Sequence, residues 1–148
     1  MMTVPLEAGH LAAIAGIETA QLPNPLSLRN LQELASRPAF RGYVAVPEIN
    51  ADPAGYALVL AGGGSADLVS VAVMPTALRR GVATRLLLFA LADLAAEGVE
   101  DVTLEVAVDN VPARALYDRL GFSEAGRRPG YYRRDRELVD AMVMHRRL

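Results

Sequence analysis

The 148-residue chain contains no cysteine and no tryptophan, and all 15 of its basic residues are arginine. Without cysteine, disulfide scaffolds, thiolate metal sites and cysteine nucleophiles are excluded. The two histidines, His10 and His145, lie at opposite ends of the sequence, so a zinc site has no ligand set and we expect no metal. None of the five serines sits in a Gly-x-Ser-x-Gly turn, which argues against a serine hydrolase.

Long hydrophobic runs are also missing. The apolar stretch 86–96 contains Asp93, is flanked by Arg85 and Glu97, and is far shorter than the ~20 residues that a membrane span requires. The first 20 residues carry no lysine or arginine and do not resemble a targeting signal. We therefore expect a cytoplasmic protein that does not bind a membrane.

The composition is that of one folded domain. Hydrophobic residues make up 52% and charged residues 22% of the chain, and the formal net charge is −2. Such a chain is too apolar to be disordered, and at about 150 residues it buries roughly 70% of its unfolded surface in a single core. Because neither a repeat nor a linker divides it, we predict a single domain over residues 1–148.

The first half of the chain predicts a strand, two helices and three further strands. Apolar residues at helical spacing indicate a helix over residues 10–20, and Ser27 is a suitable N-cap for a second helix that stops before Pro38. Pro23 and Pro25 indicate a loop between the two helices. The predicted strands are residues 3–6, 43–46, 56–60 and 68–73, of which the last three form an antiparallel meander.

The second half predicts a β-α-β crossover and two closing strands. A broad apolar stripe indicates a long helix over residues 81–97, with Gly98 as its C-terminal cap, and strict alternation indicates a strand over residues 102–108. Pro112 suits the first turn of a helix that Gly121 ends. With closing strands at 123–128 and 138–145, the predicted fold class is a mixed α/β sheet in the order β-α-α-β-β-β-α-β-α-β-β.

The segment that enters the long helix has the properties of an anion-binding turn. The first turn of a helix carries unpaired N–H groups and a partial positive charge. Gly81 and the small Ala83 let a bulky anion approach the backbone, and Arg79 and Arg80 add positive charge. The structural alternative is a strand-to-helix turn with solvated arginines.

This turn resembles the cofactor signature of the GCN5-related N-acetyltransferase family, Gln/Arg-x-x-Gly-x-Gly/Ala. Here the signature reads Leu78-Arg79-Arg80-Gly81-Val82-Ala83, and Leu78 replaces its first polar residue. The resemblance implies that acetyl-CoA binds in a gap between two splayed parallel central strands. It also implies a set of cofactor-binding residues on the strand, where the pantetheine pairs, and on the turn, where the backbone holds the pyrophosphate: Val71, Ala72, Val73, Arg79, Arg80, Gly81, Val82, Ala83 and Thr84.

A second motif resembles the ribosomal-protein-alanine (RimI-type) branch of that family. The branch shows Leu-Glu-Val, then Asn, then Ala-x-x-Leu-Tyr-x-x-Leu-Gly-Phe, which this chain matches at 104–106, 110 and 113–122. An α-amine has a reference pKa of about 7.7–8.0, so its transfer chemistry needs a base, and the departing thiolate benefits from a proton donor. The resemblance implies Glu105 as the base, Tyr117 as the acid and Asn110 as a cofactor contact. The structural alternatives are a solvated carboxylate, a core aromatic and a helix N-cap.

The resemblance implies an acetyltransferase whose acceptor is an amine, most simply a protein N-terminal α-amine, which includes a ribosomal one. The acceptor would enter between the loop 22–28 and the last two strands, where Tyr131 and Tyr132 line the groove. The branch's tryptophan in this loop is absent, and Ala107 and Asp109 replace its usual Arg and Ser, so a small-molecule amine is an alternative acceptor.

A module that binds CoA or the ribosome without turnover is the alternative from a different functional class. Residues 127–147 contain seven arginines against three acidic residues, a stretch that suits RNA, an acidic partner or the CoA 3′-phosphate. The simpler interpretation is a solvated face of edge strands that discourages aggregation, and we expect no specific nucleic-acid partner.

Overall fold

The computed structural model describes the whole chain, Met1–Leu148, as one mixed seven-stranded sheet covered by helices on both faces. The order of helices and strands is the predicted one, which confirms the fold class. Two short 3-10 turns, Ala8–His10 and Pro75–Ala77, precede the first and third helices. The helices are α1 (Leu11–Gln21), α2 (Leu28–Ala35), α3 (Val82–Ala96) and α4 (Val111–Arg119), and the strands are β1 (Met2–Pro5), β2 (Phe40–Val46), β3 (Gly55–Gly62), β4 (Ser65–Val73), β5 (Asp101–Ala107), β6 (Ser123–Arg134) and β7 (Glu137–Arg147).

The strand order in the sheet is β1-β2-β3-β4-β5-β7-β6. The first four strands form an antiparallel meander, β4 and β5 are parallel, and β7 lies antiparallel between β5 and β6. The parallel pair is the one joined through α3, as a β-α-β crossover requires. None of the helices is both long and apolar enough to span a membrane.

Alternation along the central strands divides the core into two parts. On β2, Val44 packs with α1 and α2, whereas the next residue, Ala45, belongs to the larger cluster built around α3. The same alternation places Tyr56 on the α1 side of β3 and Ala57 on the α3 side. Because both faces are covered, β3 is buried almost throughout and β2 is buried over Tyr43–Val46.

The predicted helix caps at Ser27, Gly98 and Asn110 are confirmed. The Ser27 side chain accepts a hydrogen bond from the Asn30 backbone N–H, and the Asn110 side chain accepts one from the Ala113 backbone N–H. Gly98 follows α3 with a φ of 99°, the left-handed conformation that glycine adopts without steric cost. The short polar residues and glycines therefore fix where these helices begin and end.

The last hairpin is longer than the sequence predicts. β6 was expected to stop at residue 128, but it continues to Arg134 because a bulge accommodates Pro129 and Gly130. Gly130 has a φ of 59°, and its backbone N–H donates a 2.8 Å hydrogen bond to the Asp140 carboxylate on β7. A carboxylate on the neighbouring strand thus satisfies the donor that the interrupted ladder leaves free.

The parallel pairing between β4 and β5 is short. It runs from Ser65 opposite Asp101 to Leu68 opposite Leu104, while β4 itself continues to Val73 and β5 to Ala107. Beyond Leu68 the backbone of β4 has no strand partner on its β5 side. The predicted splay between the two central parallel strands is therefore present.

Three buried tyrosines predict a loss of stability in alkali. The pKa values of Tyr43 and Tyr56 lie well above the ordinary value near 10. Burial is the main cause for both, and a hydrogen bond to a carboxylate adds to it: Asp93 for Tyr43 and Glu18 for Tyr56. Burial, then the neighbouring Tyr132, does the same for the pKa of Tyr117. The folded chain therefore keeps these protons at pH values where the unfolded chain has released them.

Stability that is fully present below about pH 10 should therefore fall as the pH rises further, each group contributing a slope of about 1.4 kcal/mol per pH unit. Urea unfolding at pH 9, 10 and 11 measures how the free energy of unfolding falls with pH. The chain has no lysine or cysteine, whose own titration in this pH range would complicate the result. Because the pKa values of Tyr131 and Tyr132 are raised as well, Tyr56→Phe should remove only the part of the slope that Tyr56 contributes. A free energy of unfolding that does not change over this range would contradict the prediction.

Candidate active site

A cleft of about 350 Å³ opens where β4 and β5 diverge. Its walls come from both strands, from the end of α1 and the loop that follows it, from α4 and from β6. Eleven of the 18 lining residues are hydrophobic. The lining residues are Glu18, Leu22, Pro23, Asn24, Leu26, Leu68, Val69, Ser70, Val71, Leu104, Glu105, Val106, Ala107, Asn110, Ala113, Tyr117, Tyr132 and Arg134.

The cleft brings together five residues that the sequence analysis predicts for the site: Val71, Glu105, Asn110, Tyr117 and Tyr132. The other predicted strand residues, Ala72 and Val73, continue β4 beyond the cleft, where they pair with β3. The residues of the predicted turn, 79–84, and Tyr131 also lie outside the cleft lining. The site is therefore extended, running from the turn along β4 to the cleft.

The turn before α3 exposes the start of the helix. Gly81 occupies the N-cap position with a φ of 71°, and no side chain caps the N–H groups of the first turn. Arg79 also has a positive φ, 64°, a conformation that non-glycine residues adopt rarely. Arg85, which the sequence analysis did not name, places its guanidinium beside Gly81. The turn thus offers free backbone donors and nearby positive charge, which is a suitable environment for a phosphate group.

Glu105 lies on the polar side of β5. Its neighbours Leu104 and Val106 are buried, whereas the Glu105 side chain is 28% exposed. Arg128 Nη1 donates a 2.7 Å hydrogen bond to Glu105 Oε1. The interaction with the Glu105 carboxylate, together with partial burial, raises the pKa of Tyr131. The predicted base is accordingly a partly exposed carboxylate that an arginine and a tyrosine from β6 approach.

Tyr117 is a buried residue of α4 that also reaches the cleft. It is 6% exposed and packs edge-to-face against Phe122 at 5.9 Å between ring centres. A phenol is protonated throughout the neutral range, and burial raises the pKa of Tyr117 further. The ring therefore belongs to the core, and the side chain also lines the same cleft as Glu105.

An aromatic pair on β6 reaches the cleft through one of its members, Tyr132. The rings of Tyr131 and Tyr132 lie 5.0 Å apart in an edge-to-face arrangement, and Tyr132 lines the cleft. Beside them, Arg134 Nη1 donates a 2.6 Å hydrogen bond to Asp109 Oδ2, which connects β6 to the loop after β5. This ion pair fixes the closing hairpin next to Asn110.

Glu18 is a site residue that the sequence analysis missed. It is 1% exposed and is the only charged side chain in the core. Its carboxylate accepts hydrogen bonds from the Tyr56 hydroxyl, the Ser70 hydroxyl at 2.8 Å and the Leu26 backbone N–H at 2.9 Å. It therefore ties the loop after α1 to β3 and β4. Its spacing from Ile14 already places it on the apolar stripe of α1, which was a usable signal.

Removal of this carboxylate should destabilise the fold. Glu18→Ala leaves three donors without their acceptor, so we expect the free energy of unfolding to fall by roughly 3 kcal/mol or more. Urea unfolding measures the change. Glu33→Ala is the matched control, because Glu33 lies exposed on α2 in an ion pair with Arg29 and should change stability by less than about 0.5 kcal/mol. Equal effects of the two substitutions would contradict this role of Glu18.

The sequence profile of the Acetyltransferase (GNAT) family matches residues 11–122, so the chain belongs to this family. The match includes the turn before α3, β5 and the whole of α4. The resemblance on which the sequence analysis relied is thereby confirmed.

Within the family, the chain is similar to [ribosomal protein bS18]-alanine N-acetyltransferase of Salmonella typhimurium. The two are 40% identical over 79 residues, which is 53% of each protein, so the chain spans about half the length of the curated relatives it matches. The crystal structure of the ribosomal-protein-S18-alanine N-acetyltransferase from Escherichia coli superimposes with a TM-score of 0.90 at 29% identity, covering 99% of this chain and 92% of that one. Arabidopsis thaliana NAA60 in complex with acetyl-CoA shares the fold, with a TM-score of 0.87, 19% identity and coverage of 99% and 98%.

Proposed function

We propose that this chain is an N-acetyltransferase that moves the acetyl group of acetyl-CoA to a protein N-terminal α-amine, and that it does so as a single domain. The observation that carries the proposal is the cleft at the β4–β5 splay, into which Glu105 and Tyr117 both reach. Family membership and the names of the relatives support the reaction class. A cytoplasmic location stays a prediction.

The residues present fit acetyl-CoA. An unpaired strand edge on β4 can hydrogen-bond the amide groups of a pantetheine arm, and the apolar cleft wall suits its methylene groups. At the other end of this edge, the free N–H groups after Gly81 can bind a pyrophosphate, with Arg79, Arg80 and Arg85 nearby. When bound, acetyl-CoA supplies an activated thioester at the cleft.

In this proposal, Glu105 and Tyr117 divide the proton transfers between them. Glu105 takes the proton of the acceptor ammonium, directly or through a water molecule, so that the nitrogen can attack the thioester carbonyl carbon. Tyr117 carries a phenol, which is protonated at neutral pH and can donate its proton to the departing thiolate. Asn110 caps α4 and lines the cleft, so the same side chain can also contact the cofactor.

The acceptor enters between the loop after α1 and the closing hairpin. Leu22, Pro23, Asn24 and Leu26 form one wall, and Tyr132 and Arg134 form the other. Because Glu18 holds Leu26 by its backbone N–H, the wall formed by the loop is fixed in place. An extended N-terminal segment fits such an open groove, and the relatives named as ribosomal-protein alanine acetyltransferases make an N-terminal alanine the first acceptor to test.

The cofactor site predicts a gain of affinity from one substitution. Acetyl-CoA should raise the melting temperature, since it binds the folded chain selectively. Leu78 is 52% exposed and replaces a polar residue of the family signature, so Leu78→Gln restores a hydrogen-bond donor without disturbing the core. We expect a roughly two- to tenfold lower Kd for acetyl-CoA, as one added hydrogen bond allows.

Calorimetry or the shift in melting temperature measures this affinity. Leu88→Gln on α3 is the control, because Leu88 is exposed to a similar extent, 49%, and lies away from the turn. No effect of acetyl-CoA on the wild-type melting temperature would refute the cofactor assignment itself.

The catalytic pair is tested by thiol release from acetyl-CoA across a panel of N-terminal peptides and small amines. Glu105→Gln and Tyr117→Phe should each lower kcat tenfold or more, since general acid–base groups contribute about 10²–10⁴-fold. Glu137→Gln, an exposed carboxylate of β7, is the matched control and should leave kcat unchanged. Near wild-type rates in both variants would contradict the assignment.

The same panel decides the acceptor class. Faster turnover of small amines than of any peptide would favour a small-molecule acetyltransferase. An absence of turnover despite acetyl-CoA binding would favour a module that binds the cofactor without catalysis.

A further inference from the structure

The carboxylate of Glu105 is already held by a cation from the closing hairpin. Arg128 Nη1 donates to Glu105 Oε1 at 2.7 Å, and the Arg128 guanidinium carbon lies 4.3 Å from the ring centre of Tyr131. A guanidinium in a protein is always charged and has N–H donors only. One oxygen of the proposed base is therefore occupied before any acceptor arrives.

The register of the sheet explains how Arg128 reaches across an entire strand. Gly126 of β6 lies opposite Val143 of β7, which in turn lies opposite Glu105, and Arg128 lies opposite Ala141. Residues two apart on a strand point to the same face, so Arg128 and Glu105 share one face of the sheet. The residues beside the path from Arg128 to Glu105 leave room for a long side chain. Ala141 is small, Gly126 has no side chain, and a Cβ placed on Gly126 would have no atom within 4 Å. The long arginine side chain can therefore extend diagonally over β7.

An acceptor amine requires the same carboxylate. With a reference pKa of about 7.7–8.0, a protein α-amine is mainly ammonium at neutral pH, a cation with three N–H donors. It matches the Arg128 guanidinium in charge and in hydrogen-bonding character. If the acceptor ammonium takes the place of the Arg128 guanidinium, Glu105 exchanges one ion pair for another. If a neutral hydroxyl or thiol displaced Arg128, the Glu105 carboxylate would be left without a cation.

We propose, on the basis of the proposed function, that Arg128 occupies the position of the acceptor ammonium in the resting enzyme and that the acceptor displaces it. Arg128 is thus a positioning and specificity residue: it keeps Glu105 paired, and it yields to a cationic primary amine but not to a neutral nucleophile. The displacement breaks and forms only hydrogen bonds, and the proton transfer to Glu105 follows it.

The Arg128 side chain is suited to such an exchange. It is 53% exposed, so the displaced guanidinium can be solvated. Where it pairs with Glu105, the guanidinium also lies over the Tyr131 ring, an attraction that does not depend on the carboxylate. The hydrogen bond from the Gly130 N–H to the Asp140 carboxylate holds the bulge that carries Tyr131. The exchange at Glu105 therefore requires only the Arg128 side chain to move, and not the β6 backbone. Exposed ion pairs are weak, so Arg128 competes only modestly with the acceptor ammonium for the Glu105 carboxylate.

The test compares Arg128→Gln with Arg127→Gln in the full chain. Arg127 is the matched control, because it is exposed to the same extent, 53%, and pairs with a carboxylate, Glu124, away from the cleft. We expect Arg128→Gln to lower the KM of an N-terminal alanine peptide about two- to fivefold, without lowering kcat, since it removes a competitor of that strength. A kcat reduced tenfold or more would mean that Arg128 assists the chemistry, and would overturn the proposal, as would an unchanged KM.

A binding measurement in the presence of CoA separates the effect of charge from the effect of space. Arg128→Gln should bind the alanine peptide with its free amine about two- to fivefold more tightly than the wild type does. It should bind the Nα-acetylated form of the same peptide equally. Equal tightening for both peptides, or none for either, would overturn the proposal. If the wild type acetylates no amine at all, the proposed function fails, and this binding comparison still decides the role of Arg128.

Discussion

The short pairing between β4 and β5 is the constraint on which the rest of the molecule depends. Parallel strands hold each other through evenly spaced backbone hydrogen bonds, and here those bonds stop after Leu68 and Leu104. Beyond this point the backbone donors and acceptors on the β5 side of β4 have no strand partner, although β4 still pairs with β3 on its other side. Unpaired backbone groups buried inside a protein are costly, so these free groups lie at an open cleft, where water or a ligand can pair with them.

The other parts of the site are arranged around this divergence by ordinary features of the fold. The crossover helix α3 begins at Gly81, just beyond the end of β4, so its free N–H groups lie at one end of the unpaired edge. At the cleft, β5 contributes Glu105 from its polar face, and α4 contributes Tyr117 from its buried one. Glu18 on α1 holds the loop that forms the remaining wall. One backbone separation thus determines where the helix start, the carboxylate and the phenol can act together.

Most of the fold and part of the site could be predicted from the sequence, and the division has a physical reason. Hydrophobic periodicity, helix caps and turns are local features of the sequence. The order of helices and strands, and the helix starts at Ser27 and Asn110, could therefore be predicted from the sequence. The bulge at Gly130 did not follow, because its missing ladder bond is replaced by a carboxylate on the neighbouring strand. The role of Glu18 likewise needs partners from three other segments. Arg128 was recognised only as part of a basic stretch, because its pairing with Glu105 depends on the register of three strands.

The register of these strands also changes how the positive charge of the closing hairpin, β6 and β7, is interpreted. In the linear sequence, residues 127–147 carry a clear excess of positive charge, which suggests a polyanionic partner. In the fold, three of these arginines face carboxylates: Arg127 faces Glu124, Arg128 faces Glu105 and Arg134 faces Asp109. Arg128 and Arg134 pair with carboxylates at the candidate site and its rim, whereas Arg127 pairs away from the cleft. The three ion pairs together leave less positive charge for a long-range field. A guanidinium does not release its proton, so the charge that Arg128 brings to Glu105 can be removed only by moving the Arg128 side chain. If Glu105 is the base, as we propose, its availability then depends on the charge of the molecule that approaches it.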